Sequence, residues 1–382
     1  MTKYIAFNNN SIETFFLLVR AGLFGRTEGI EDFLPDGVDW AEVYQLAKEQ
    51  SMAGLVADGI EAVRAEWSKT HNTPLMPREW ILKFAHVALQ QEQRNLNMNK
   101  FVAELINKLQ EKGNYPLLLK GQGVAQCYRN PLRRACGDVD LLLTEEDYQK
   151  TKDYVLPFSS FSKDGNEYKK ELIIQISRWV VELHGSLRCG FSSRIDRELD
   201  KIYHDTFSNR DVRTWMNGKV QVFMLGQEDE VFYVFVHFLN HFYKSGVGIR
   251  QICDWCRLLW TFKDSLDVSA LESRLKKMKL MSEWRAFGMF AVEYLGMPKE
   301  AMPFYCEDEK WKRKAQQILA FILKTGNMGN NRKEKGKVHS YLSRKMKSSE
   351  QRICDLANHF TIFPMDTLRF FPRIFLNGLH QK

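Results

Sequence analysis

The sequence has no hydrophobic run long enough to cross a membrane. The apolar stretch near its start, Phe15 to Val19, is followed at once by Arg20, whereas a transmembrane helix needs about 20 apolar residues. No small-residue cleavage pattern follows a basic start, so we do not expect a secretory signal. These absences favour a cytoplasmic protein that has no membrane partner.

Cysteine is scarce, and its spacing is irregular. The chain has seven cysteines, an odd number that is typical of reduced thiols and not of a disulfide framework. The one close pair, Cys253 and Cys256, lacks a second pair that would complete a zinc site. We therefore expect buried thiols at these positions, with a zinc site as the less favoured alternative.

Positive charge is concentrated in one segment. The chain of 382 residues carries a net charge of +8, and residues 310–352 alone contain thirteen Lys or Arg and two acidic residues. The segment from Lys310 to Arg352 could bind RNA, DNA or an anionic acceptor. Aromatic residues that would stack on bases are not interleaved with its charges, so a solvated surface stretch is the favoured interpretation.

Hydrophobic periodicity divides the chain into three regions. Residues 1–112 and 227–382 have apolar residues at helical spacing, including a helix capped by Asp39 and an amphipathic stretch from Glu79 to Glu111. Residues 113–226 contain short apolar runs typical of strands. The predicted strands are Tyr115–Leu119, Asp138–Leu143, Leu172–Ile174, Trp179–His184 and Val220–Met224, with a helix at Gln122–Tyr128 and a turn at Lys163–Asn166. We therefore predict an α+β fold, in which a small mixed β-sheet core is flanked by N-terminal and C-terminal helical regions.

Two carboxylates stand at the start of one predicted strand. Asp138 and Asp140 are separated by one residue, so their side chains project from the same face of the strand. Like charges this close are costly unless a cation lies between them, and such oxygen ligands suit Mg²⁺ or Mn²⁺ together with substrate phosphates. An exposed strand edge is the alternative, but the run from Leu141 to Leu143 argues against it. The pattern predicts a site for phosphate chemistry.

A glycine-rich turn precedes these acids. Lys120, Gly121, Gln122 and Gly123 follow the first predicted strand, at a position where free amides and the helix dipole favour anions. Gly121 and Gly123 would let the backbone approach a phosphate, and Lys120 would neutralise one. Either Arg133 or Arg134 could hold phosphates through its planar guanidinium.

These residues resemble the uncharacterised nucleotidyltransferase family of the DNA polymerase β-like superfamily. The motifs that carry the resemblance are Lys120-Gly121, Tyr128-x-x-Pro131-x-x-Arg134 and Gly137-Asp138-x-Asp140-Leu-Leu. The resemblance extends to Val181-Glu182-Leu183-His184 and continues more weakly into 237–241 and 249–254. The wider superfamily usually has Gly-Ser or Gly-Gly in the turn, where this chain has Gly121-Gln122. The resemblance implies a nucleotidyltransferase sheet, an NTP substrate and divalent ions, and of the two arginines only Arg134 falls on its pattern.

Glu182 is the expected third carboxylate. The resemblance assigns that role to the segment that contains it, and the period of two places Val180, Glu182 and His184 on one face of their strand. Glu182 would be a third metal ligand or the catalytic base; a salt bridge with Arg178 or Arg188 is the alternative. His184 has three open roles: it orients Glu182, contacts the nucleotide, or is an ordinary hydrogen-bonded histidine.

Three further residues are candidates for substrate binding. His237 and His241 share one face of a predicted helix, and Phe238 stands where a zinc protease would need a glutamate. Helix packing and lining the substrate cleft remain equal alternatives for this pair. Arg250 and Asp254 are one turn apart and would pair, although the resemblance permits a role for Arg250 in the site.

The sequence therefore predicts a metal-dependent nucleotidyltransferase. Asp138, Asp140 and Glu182 would hold Mg²⁺ or Mn²⁺, and the enzyme would transfer an NMP from an NTP to an acceptor and release pyrophosphate. A small molecule, a protein and a nucleic acid all remain open as the acceptor. One alternative is a catalytically inactive nucleotide-binding regulatory protein, for example a toxin–antitoxin component. Another is an RNA-binding protein that acts through residues 310–352.

Overall fold

The computed structural model describes residues 8–30, 37–165, 167–244, 246–332 and 355–380. The helices are α1 Asn9–Phe24, α2 Trp40–Glu49, α3 Ala53–Thr70, α4 Arg78–Gln110, α5 Gly121–Ala125, α6 Glu145–Val155, α7 Ser193–Asn209, α8 Gln227–Lys244, α9 Ile249–Phe262, α10 Val268–Met278, α11 Met281–Glu293, α12 Glu309–Thr325, α13 355–362 and α14 Pro364–His380. The strands are β1 Leu117–Leu119, β2 Asp138–Leu142, β3 Ser159–Asp164, β4 Glu171–Ile176, β5 Trp179–His184, β6 Val212–Asn217 and β7 Val220–Leu225.

The strands form one mixed sheet in the order β3-β4-β5-β2-β1-β7-β6. Strand β2 runs antiparallel to β1 and parallel to β5, and β1 runs parallel to β7. Helices precede, interrupt and follow this sheet. The predicted α+β fold with helical flanks is confirmed.

Local sequence signals account for several helix ends. The side chain of Asp39 accepts hydrogen bonds from the backbone N–H groups of Ala41 and Glu42 and so caps α2, as predicted. Thr144 caps α6 in the same way, through the N–H of Asp147. The long α4 ends one residue before the predicted stop at Glu111.

Two parts of the predicted core were wrong in detail. The predicted turn at Lys163–Asn166 is not a turn over its first two residues, because Lys163 and Asp164 belong to strand β3 and pair with Ile173 and Leu172; Asn166 lies outside the described residues. Strand β3 is an exposed edge strand, so it lacks the alternation of apolar residues that marks a half-buried strand. Strand β6 at the other edge was missed for a similar reason, since its side chains are at most half-buried.

Helix α7 was also missed, although the sequence contains its signal. Its buried apolar residues Ile195, Leu199 and Ile202 recur at the spacing of one helix face. Charged residues stand between them and give α7 a low average hydrophobicity, so the apolar face is hard to recognise in the sequence. Predicted helix Gln122–Tyr128 is shorter than expected and shifted toward the N-terminus, because α5 spans only Gly121–Ala125.

The sheet separates two hydrophobic cores. One face carries Leu118, Val139, Leu141, Val181 and Leu183, which pack with the C-terminal half of α4 around Met98 to Leu109. The opposite face contributes Leu117, Leu119 and Leu142 to a larger core that includes α1, α3, α8, α9 and α11. The acidic residues of β2 and β5 lie on this second face, because side chains alternate along each strand.

The basic segment is described only in part. Residues 310–325 belong to α12 and residues 327–332 form a 3₁₀ helix, whereas residues 333–352 lie outside the described residues. Among the described residues, no helix combines the length and the apolar character needed to cross a bilayer.

Helices α1 and α3 approach each other closely at two glycines. A Cβ atom on Gly59 would lie 1.9 Å from the carbonyl oxygen of Leu18, and one on Gly22 would lie 2.4 Å from that of Leu55. Both obstacles are backbone atoms, which cannot move aside without separating the helices.

We predict that Gly59→Ala lowers the free energy of unfolding by about 1–3 kcal/mol, since the added methyl group overpacks this contact. The midpoint of urea denaturation is the measurement. Gly137→Ala is the matched control, because a Cβ atom there would meet nothing within 4 Å. Equal midpoints for the two variants would show that α1 and α3 are not in this close contact.

Candidate active site

The acidic side chains are brought together by the parallel pairing of β2 and β5. In this register Asp140 pairs with Glu182, Asp138 with Val180, and Leu142 with His184. Asp138, Asp140, Glu182 and His184 therefore project from the same face of the sheet. This places the three predicted carboxylates and His184 in one site.

Asp140 is the most enclosed of the carboxylates, with a side chain that is 2% exposed. Its Oδ1 lies 3.0 Å from Nζ of Lys120 and 2.9 Å from Nε2 of His184. Burial alone would raise the pKa of Asp140, but the Lys120 charge and the His184 hydrogen bond outweigh burial and hold the pKa below its usual range. Asp140 is therefore a carboxylate anion already compensated by the protein.

Glu182 and Asp138 are compensated less well. Burial, followed by the charge of Asp140, raises the pKa of Glu182 to about 8. The charge of Asp140, followed by burial, raises the pKa of Asp138. Each raised pKa reflects a carboxylate whose negative charge is poorly neutralised by the groups around it. The site consequently has capacity for additional positive charge.

The alternative salt bridge of Glu182 is not observed. Arg188 donates to both carboxylate oxygens of Asp200, at 2.7 and 2.8 Å, and Arg178 stacks on the ring of Trp179. Among the described residues Glu182 has no ion pair with a lysine or an arginine, and its Oε2 lies 3.7 Å from Nε2 of His184. Glu182 is thus part of the acidic cluster, and His184 is held by Asp140 more closely than by Glu182.

The arrangement can hold a metal ion. Asp140, Glu182 and His184 each offer a ligand atom, and these atoms lie within 4.8 Å of one another. Carboxylate oxygens suit Mg²⁺ and Mn²⁺, whereas imidazole suits softer metals. Because Nε2 of His184 already hydrogen-bonds Asp140, this histidine is placed to orient a ligand. Asp138, the third predicted ligand, lines the same cavity.

The cavity beside these residues has a volume of about 290 Å³. The acids of β2 and β5 line one part of it, and residues of α8 and α9 line another. The predicted residues that line it are Lys120, Gly121, Arg134, Asp138, Asp140, Glu182, His184, His237, His241 and Arg250. Most of the residues expected to bind substrate therefore meet in one place.

Two residues of the glycine-rich turn lie away from the cavity. Gln122 is buried and donates through Nε2 to Oδ1 of Asn95 at 2.9 Å. Gly123 packs against the side chain of Met224, which a Cβ atom at this position would approach to 2.9 Å. The other two residues of the turn, Lys120 and Gly121, line the cavity. The second glycine therefore serves packing between α5 and β7.

Arg134 and Tyr128 both bind Asp254 of α9. Arg134 donates from Nε at 3.0 Å and from Nη2 at 2.6 Å, and the Tyr128 hydroxyl donates at 2.8 Å. All three side chains are buried. The planar guanidinium that was expected to hold phosphates is thus engaged by a carboxylate, and the Tyr-x-x-Pro-x-x-Arg motif joins the loop before β2 to α9.

Arg250 is only a distant partner of Asp254. Its Nη1 lies 3.8 Å from Oδ2 of Asp254 and donates to the carbonyl oxygen of Ala135 at 3.2 Å. The expected pairing of Arg250 with Asp254 is therefore secondary to that of Arg134.

His237 and His241 both line the cavity and contact each other. Their Nε2 atoms are 3.0 Å apart. Burial, followed by the charge of Lys120, lowers the pKa of His241 to about 3 and also lowers that of His237. Both rings are therefore neutral at physiological pH, and of the two alternatives the cleft-lining role agrees with their position.

Several lining residues were not found by sequence reasoning. They are Lys169, Glu171, Ser186, Arg188, Tyr233 and Asn240. Asn240 had a detectable signal, because it lies on α8 between His237 and His241 at helical spacing. Lys169 had none, since it lies in a short 3₁₀ helix that connects two strands.

Comparison with known proteins identifies the family. A family model described as uncharacterised nucleotidyltransferase matches residues 36–296, which is more than half of the chain. The chain belongs to this nucleotidyltransferase family, and the resemblance noted in the sequence is confirmed. No curated protein and no solved structure matches the chain.

We predict that Asp254→Asn lowers the free energy of unfolding by about 3–5 kcal/mol, because it leaves the buried Arg134 without a counter-charge. Urea denaturation measures the loss. Asp200→Asn, which breaks the more exposed pair with Arg188, should cost less than about 1 kcal/mol. The double variant Arg134→Met/Asp254→Leu should recover most of the loss, because no unpaired charge remains. Equal losses for Asp254→Asn and Asp200→Asn would contradict this role.

Proposed function

We propose that this chain is a metal-dependent nucleotidyltransferase that transfers an NMP from an NTP to an acceptor and releases pyrophosphate. The observation that carries the proposal is the register of β2 and β5, in which Asp140 and Glu182 stand side by side at a cavity with Asp138 on the same face. Carboxylates in this arrangement are suited to divalent metals and substrate phosphates. Membership of a nucleotidyltransferase family supports the same reaction.

The donor set fits Mg²⁺ or Mn²⁺. Asp138, Asp140 and Glu182 supply hard oxygen ligands, and the raised pKa values of Asp138 and Glu182 indicate that added positive charge would be stabilised. When bound, the metal would neutralise phosphate charge and increase the acidity of the attacking hydroxyl group. His184 would orient Asp140 through their 2.9 Å hydrogen bond.

The protein would act mainly by positioning and charge neutralisation. The oxygen of the acceptor would form a bond with the α-phosphorus, the bond from that phosphorus to the pyrophosphate oxygen would break, and pyrophosphate would leave with the bonding electrons. The acceptor gives up one proton in this step. Glu182 is the proposed recipient of that proton, because it is the more exposed carboxylate of the adjacent pair, at 21% against 2% for Asp140.

We predict that Asp140→Asn and Glu182→Gln each reduce nucleotidyl transfer by about 100-fold or more, since Asp140 would help to hold the metal and Glu182 would also accept the proton of the attacking hydroxyl group. The assay uses each of the four NTPs labelled at the α-phosphate, with Mg²⁺ and host extract. Glu146→Gln is the control, because Glu146 is an exposed acid of α6 that pairs with Lys150. Circular dichroism checks that each variant is folded.

Label on an acceptor with wild-type protein and with Glu146→Gln, but not with the site variants, would support transfer and name both the NTP and the acceptor. Absence of transfer with all four NTPs, despite folded protein, would contradict the proposal and favour a nucleotide-binding regulatory protein. Retention of RNA binding by Asp140→Asn, with affinity that falls steeply with salt, would instead favour an RNA-binding role.

We also predict that Mg²⁺ or Mn²⁺ raises the Tm of the wild-type protein and not that of Asp140→Asn. A ligand present at 100 times its Kd stabilises the folded state by about 2.7 kcal/mol, which thermal denaturation resolves easily. Each variant is compared with itself in EDTA, so any intrinsic effect of the substitution cancels. A similar rise in Tm for both proteins would place the metal elsewhere.

A further inference from the structure

We infer that the polyphosphate group of the substrate is bound by a cationic wall, formed by Lys169, Lys244 and Arg250, and not by the glycine-rich turn of 121–123. That the ligand is the polyphosphate of an NTP rests on the proposed function. That an anion binds at this wall rests on the geometry alone.

The glycine-rich turn offers little to an anion. Helix α5 has five residues, so its dipole is small, and Gln122 and Gly123 face Asn95 and Met224. The Lys120 ammonium group is 3.0 Å from Asp140. The cation of this turn is therefore already paired with a carboxylate, and the turn's last two residues pack away from the cavity.

Pairing inside the protein also occupies two of the other cations at the cavity. Arg134 is engaged by Asp254, and Arg188 is engaged by Asp200. Lys169 and Arg250 line the same cavity and are neutralised less. Arg250 has only a distant contact of 3.8 Å with Asp254, which Arg134 already engages at 2.6 Å.

Lys169 has no ion pair with any described carboxylate. Its main chain is fixed, because its carbonyl oxygen accepts a hydrogen bond of 2.7 Å from the Ser186 hydroxyl. Lys169 thus lines the cavity on a fixed main chain, and its charge is not paired with a described carboxylate.

Arg250 is fixed at one nitrogen and unpartnered at another. Nη1 donates to Ala135, while Nε is buried and has no hydrogen-bond partner among the described residues. Asn240, 8% exposed and lining the same cavity, likewise has a buried side-chain oxygen without a described partner. Buried polar atoms are normally satisfied, so the Nε donor of Arg250 points to an acceptor on a ligand, whereas the Asn240 oxygen, itself an acceptor, would be satisfied only by a donor group of that ligand.

Lys244, the third residue of the wall, does not line the cavity itself and adds positive potential from behind the lining residues. Its Nζ donates to the carbonyl oxygen of Cys189 at 2.8 Å, and Cys189 lines the cavity. Burial, together with the nearby charge of Lys169, lowers the pKa of Lys244 to about 8. After burial and Lys120, the charges of Lys169, Lys244 and Arg250 all act to lower the pKa of His241, which also lines the cavity. A polyanion would relieve this repulsion.

The test is the affinity of the full-length protein for inorganic tripolyphosphate, measured by calorimetry in EDTA so that no metal contributes. We expect Lys169→Met and Arg250→Met each to weaken binding about tenfold or more, since each removes a charge-assisted contact. Lys170→Met is the matched control, because Lys170 is the adjacent lysine and pairs with Glu145. Gly123→Ala tests the turn. Both controls should bind like the wild type.

Wild-type affinity in Lys169→Met and Arg250→Met would overturn the inference, and so would an equal loss in Lys170→Met, which would indicate a general charge effect. If Arg250→Met does not fold, the affinity of Lys169→Met for tripolyphosphate tests the inference by itself, because Lys169 is only half-buried. The transfer assay separates this inference from the proposed function. If both variants transfer NMP with an unchanged KM for NTP, the phosphate-binding role of the wall is refuted and the proposed function stands. If tripolyphosphate binding needs Lys169 and Arg250 but no transfer is seen with any NTP, the proposed function is refuted and the binding role stands.

Discussion

Asp140 is a carboxylate on a buried strand, and its charge would cost several kcal/mol if no cation lay beside it. Lys120 provides that cation from the turn after β1, and His184 adds a hydrogen bond from β5. The Oδ1 atom of Asp140 on β2 therefore contacts residues that belong to β5 and to the turn after β1. Lys120, which makes this contact, also has a positive φ of 51°, a backbone conformation that is uncommon for residues other than glycine.

The cations at the cavity fall into two groups, according to how closely a carboxylate of the protein neutralises them. Arg134 and Arg188 are bound by carboxylates of α9 and α7 and hold elements together. Lys169 and Arg250 are left with unpaired charge or unpartnered nitrogen atoms. The acids of β2 and β5 and these two less neutralised cations line one cavity. The neutral His237 and His241 line the same cavity and add no charge to it.

Side-chain alternation explains why the acidic cluster could be predicted from the sequence. Asp138 and Asp140 had to share a face, and Glu182 joined them once its strand paired with β2. The sequence could not predict which carboxylate or ligand each cation binds, because that depends on distances between residues that are far apart in the chain. Arg134 satisfied a sequence pattern equally well as a phosphate ligand or as the partner of Asp254, 120 residues away. Lys169 has no pattern at all, and strand β3, which precedes its connection, is too polar to be recognised before its partner strand is known.

The strand order also determines when the cavity can exist during synthesis. Strand β1 lies between β2 and β7, and Leu117 pairs with Phe223, so the sheet closes only after a long stretch of chain has emerged from the ribosome. Asp254 and Arg250 follow later still. Contacts of such large sequence separation form slowly and leave intermediates exposed. A nascent chain that stops before α9 would hold Arg134 without its counter-charge, so the cavity can be complete only after α9 has been synthesised.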